Sequence, residues 1–124
     1  MIDHETKLMV ERTIERMDHV RDSAIVRRGT TISIAVVVDY AVNPETSRLI
    51  GDNAVRMAKS MLFAGGEKAP GKAIGKGLYT YQIGVYRPNE DEVAVGTKDH
   101  DDDRIRWWSG TKRGLMKLLN HFVG

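Results

Sequence analysis

The 124-residue sequence contains no cysteine. That absence excludes disulfides, thiolate zinc sites, iron–sulfur ligation and a cysteine nucleophile together, so stability has to come from packing. Long apolar runs are also missing. The longest, Ile32 to Val38, is far short of the ~20 residues that span a bilayer, and no transmembrane segment is expected. The first residues, MIDHETKLMVERTIERMD, alternate in charge and carry no apolar signal core, which gives a cytoplasmic expectation. Charge of one sign is scarce as well: 19 basic residues against 17 acidic give a net charge of +2, which makes no strong electrostatic footprint by itself.

What is present fits one α+β domain over residues 1–124, since domains commonly run ~100–200 residues. Apolar residues make up 41% and charged residues 29%, ordinary globular usage. From Asp3 to about Arg21, Val10, Ile14 and Met17 recur at helical spacing between charged positions, which predicts an amphipathic helix. Ala24-Ile25-Val26, a turn over Arg27-Arg28-Gly29-Thr30 and the β-branched run TISIAVVVDY predict a hairpin. Asn43-Pro44-Glu45 is a helix start, with a capping side chain, a proline tolerated at the first position and an acid at the positive end of the dipole. The helix should run from Pro44 to about Leu62, with Ile50, Ala54, Met57, Ala58 and Met61 on its buried stripe. A flexible Gly/Lys-rich connector is expected over 64–77. Alternation then predicts strands from Tyr79 to Val85, over Glu92 to Thr97 and from Arg104 to Trp108, and the leucines of KRGLMKLLNHFVG predict a terminal helix.

The resulting order is α-β-β-α-β-β-β-α, with a five-stranded, mainly antiparallel sheet. Together with the small-residue segment IGDNAVRMAKSMLFAGGE, this order resembles the roadblock family and its profilin-like relatives. That resemblance implies a noncatalytic dimeric scaffold binding a regulatory partner such as a small GTPase.

The motifs mostly fail their own chemistry. Gly66-Glu67-Lys68-Ala69-Pro70-Gly71-Lys72-Ala73 approaches a phosphate loop, but Ala73 stands where a hydroxyl should hold magnesium, and a helix leads in where a strand should. The lysines Lys68, Lys72 and Lys76, with Arg27 and Arg28, are left as candidate contacts for phosphate or nucleic acid. Asp99, Asp101 and Asp103 alternate as the first ligands of a calcium loop do, yet Arg104 replaces its glycine and Gly110 its bidentate glutamate, so no metal is expected. No histidine forms an HxxxH pair and no serine lies in a GxSxG elbow. Trp107 and Trp108 point to opposite faces of their strand. Tyr86, Arg106, Trp107 and Trp108 are candidate partner-binding residues, because Trp, Tyr and Arg dominate interface hot spots.

The expected function is therefore a small noncatalytic binding or scaffold protein, homodimeric, with no cofactor. Two alternatives stay open: a nucleic-acid or phosphate binder using the Gly/Lys-rich loop, and a small-molecule site or enzyme with a pocket between sheet and helix. The terminal helix is short and interrupted by Gly114, which argues for docking on the domain's own sheet rather than on a membrane.

Overall fold

The computed structural model describes residues 3–62 and 66–108. Helix α1 (His4–Glu15) opens on Asp3, whose carboxylate accepts the Thr6 amide at 2.8 Å. It ends earlier than the expected Arg21, because strand β1 already begins at Val20 and runs to Arg28. A tight turn at Gly29 and Thr30 leads into β2 (Thr31–Val38). Helix α2 (Pro44–Met61) is capped as the sequence predicts: the Asn43 side chain accepts the Thr46 amide at 2.7 Å, with Pro44 in the first turn. Strands β3 (Thr80–Tyr86), β4 (Glu92–Lys98) and the short β5 (Arg106–Trp107) follow. The terminal helix expected in KRGLMKLLNHFVG lies outside the described residues.

The five strands lie side by side in sequence order. Pairs β1–β2, β3–β4 and β4–β5 are antiparallel. The β2–β3 pair is parallel, Ile34 opposite Ile83 and Val36 opposite Val85, so the sheet is mixed. The physical reason is α2: it carries the chain back to the end of the sheet where β2 began, and a strand laid beside β2 after such a crossover must run parallel to it.

Alternation in the strands sends Ile32, Ile34, Val36 and Val38 of β2 and Tyr81, Ile83 and Val85 of β3 to one face, all with no solvent exposure. Val10 and Ile14 of α1 and Ile50, Ala54 and Ala58 of α2 close over them in one apolar cluster. Each buried valine or isoleucine among them contributes roughly 1.5–3 kcal/mol. Met57 and Met61, expected in the stripe, pack at its margin. No described helix covers the other face. The long β1 edge is blunted by α1: the Ile25 amide donates to the Glu11 carboxylate at 2.9 Å, in the place a sixth strand's carbonyl would take. Glu11 is held there by Lys7 at 2.8 Å.

Candidate functional site

Of the connector expected over 64–77, residues 64 and 65 lie outside the described residues. The remainder has no helix or strand, yet it is tied down by a buried charged cluster. Glu67, 1% exposed, accepts the amides of Lys68 and Leu78, each at 2.9 Å, through Oε1. Its Oε2 accepts the Tyr81 hydroxyl at 2.9 Å. Lys59 comes up from α2, fully buried, and its ammonium lies 3.7 Å from Glu67 Oε1. It donates to the carbonyls of Lys68 and of Lys76, the latter at 3.0 Å. Lys98, also fully buried on β4, donates to the Asp99 carbonyl at 2.8 Å.

The electrostatics follow from this arrangement. Burial pushes the Glu67 carboxyl up, but the Leu78 and Lys68 amides, the Tyr81 hydroxyl and the Lys59 charge together hold it below the usual carboxylate value. The same burial, with the Glu67 charge beside it, drives the Tyr81 hydroxyl far up. Burial and then the Lys59 charge push the Lys98 ammonium down, against the pull of Glu67, Asp102 and Asp103.

A second set of bonds folds the middle of the connector onto α2. Arg56 pairs with Asp52 at 2.7 Å and donates to the carbonyls of Gly71 and Lys72, each at 2.8 Å. The connector is in turn bonded to the β4–β5 loop, Gly75 amide to Asp103 carbonyl and Gly77 amide to His100 carbonyl, both at 3.0 Å. Between α2, the connector and β5 these bonds leave a groove of about 510 Å³. Ile74, Ile105 and Trp107 line its apolar side, and Arg48, Lys72 and Arg104 its rim. Arg48, Lys72 and Arg104 are exposed, and among the described residues none of the three has a side-chain hydrogen bond or ion pair. Glu45 and Asp52 also line the groove; with Asp52 matched by Arg56, three cations face one carboxylate.

The structure separates the residues singled out from the sequence. Of the five candidate phosphate contacts, only Lys72 reaches the groove. Arg27 lies over the Tyr79 ring, 5.1 Å from its centroid, and with Arg28 it ends β1 beside the β1–β2 turn, away from the groove. Lys68 and Lys76 give their carbonyls to Lys59 while their own side chains are exposed. Of the partner candidates, Trp107 packs on the core and lines the groove. By alternation Arg106, Trp108 and Tyr86 belong to the face that no described helix covers, where Trp108 is 42% exposed and Tyr86 is buried. Asp99, Asp101 and Asp103 are exposed, and among the described residues no three His, Cys, Asp or Glu are grouped to hold a metal ion. None of the described helices is long and apolar enough to cross a membrane.

Sequence reasoning missed Arg48, Arg56 and Arg104 at the groove and the charges Lys59, Glu67 and Lys98 that gather around Tyr81. A signal was present for two of these. Lys59 follows Ala58 on the apolar side of α2, and Lys98 stands in line with Ala94 and Gly96 on the buried side of β4. A charge at an inward position marks a paired site, since an unpaired ion there is costly.

Comparison with protein-family models, curated proteins and solved structures finds no match. None of them supports the resemblance to the roadblock family.

Proposed function

We propose that the protein is a noncatalytic binding protein that takes a small anionic ligand in the groove between α2, the connector and β5. The observation that carries this reading is the rim of three cations with no side-chain partner among the described residues, Arg48, Lys72 and Arg104, beside an apolar wall in a groove of about 510 Å³. Clefts of roughly 300–1,000 Å³ with mostly apolar walls and a few polar groups are where proteins hold small molecules. Three cations against the lone Glu45 favour an anion, and the bonds from Arg56, Asp103 and Glu67 fix the connector that carries Lys72, so little ordering is left for binding to cost.

The test is thermal unfolding with anions of increasing size at millimolar concentration. A ligand of the folded state raises the melting temperature in proportion to the logarithm of its concentration. Replacing both Arg48 and Arg104 with glutamine is expected to abolish the rise while leaving the melting temperature without ligand nearly unchanged, because exposed charges contribute little to stability. A rise that survives the double replacement removes the groove as the site.

The expected homodimer is a second reading, supported by exposed Trp108 and the neighbouring Arg106 on the sheet face that no described helix covers. It calls for a sedimentation coefficient that grows with protein concentration and ceases to do so in Trp108→Ala; a monomer at the highest concentrations ends it.

A further inference from the structure

The groove's shape and chemistry define its ligand more closely than charge does. Resting on the anion-binding reading above, we infer that the ligand is an organic acid with a planar apolar group: its acidic group between Arg48, Lys72 and Arg104, its ring against Trp107, Ile105 and Ile74.

Three observations lead there. A bare oxyanion fills only a small part of a groove of about 510 Å³, whereas a ring system with an attached acid is the size of ligand that such clefts enclose. The apolar side is built as a wall: Ile74 and Ile105 are 1% and 8% exposed, and Trp107 is wedged against α2, where a Cβ on Gly51 would come within 2.6 Å of the indole Cη2. A rigid indole side chain offers contact for a ring at little entropic cost. Leu49 completes the pattern. It lies on the groove side of α2 and is 63% exposed, an apolar side chain that a ligand ring would cover. The lone Glu45 at the rim adds an acceptor, so a hydroxyl or amino substituent on the ring has a partner there.

The experiment compares naphthalene-2-sulfonate with methanesulfonate, the same anionic group with and without a ring, by titration calorimetry on the full chain. The ring compound is expected to bind at least about tenfold more tightly, a difference of about 1.4 kcal/mol. Trp107→Leu should remove most of that advantage and leave methanesulfonate unaffected, and circular dichroism reports whether the variant folds. If it does not, Leu49→Gln on the exposed surface of α2 serves in its place, with a smaller loss confined to the ring compound. Equal affinity for the two sulfonates overturns the ring inference and leaves anion binding standing. Binding of neither overturns both.

Discussion

Replacing Glu67 with alanine is expected to destabilise the protein by about 3–5 kcal/mol, the cost of leaving a buried ion without its partner. Lys59 has no exposed side-chain surface, so its charge cannot reach water without opening the structure. The amides of Lys68 and Leu78 and the Tyr81 hydroxyl lose their acceptor in the same step. Denaturant titration measures the loss, and a cycle with Lys59→Met shows its origin. The two changes together should cost less than their sum by about 0.5–3 kcal/mol, since neither leaves the other's charge stranded. Strict additivity would mean that the two charges do not sense each other. The pH dependence has a definite sign. Because the folded carboxyl is held below its usual value, the unfolded chain takes up the proton more readily. The contribution of Glu67 is therefore complete above the usual carboxylate value and lost as pH falls through the lower folded value. Glu67→Gln should be less stable at neutral pH and lose less on acidification.

This cluster also explains how far the sequence could be read. Elements with a strong period were legible: the cap at Asn43, the course of α2 and the alternation in β3 each follow from neighbouring residues, and the structure places them within one residue of the expectation. The parallel β2–β3 pairing was not, because strand direction depends on where a crossover delivers the chain rather than on any local pattern. The connector was the hardest stretch. Its glycines and lysines look like solvated loop, and nothing near Glu67 shows that Lys59, eight positions earlier, and Tyr81, fourteen later, converge on it. Only Lys72 among the suspected lysines faces the groove; its companions there, Arg48 and Arg104, come from α2 and the β4–β5 loop, two elements that meet only in the fold.

The groove's apolar wall depends on one small residue, and Gly96→Val should break it. Gly96 of β4 lies opposite Trp107 of β5. A Cβ at that position would come within 2.5 Å of Ile105 Cγ2 and 2.8 Å of the Arg106 carbonyl oxygen. A side-chain methyl can turn aside; the carbonyl belongs to the backbone of the paired strand and moves only if β5 moves. Valine's preference for strands over glycine is worth at most ~1 kcal/mol, while overpacking typically costs about 1–3 kcal/mol, so a net destabilisation of up to about 3 kcal/mol is expected. The larger effect falls on the groove, because β5 holds only two residues and a shift of its backbone carries Trp107 with it. Denaturant titration and calorimetry on Gly96→Val should show a moderate loss of stability together with loss of the ring-bearing ligand's advantage. Gly71→Ala is the control: a Cβ there meets nothing within 4 Å, although the residue lies in the connector that lines the groove. Should Gly96→Val bind naphthalene-2-sulfonate as the parent protein does, the position of Trp107 is not what forms the wall, and the ring has to be held by the other apolar lining residues, Leu49, Ile74 and Ile105.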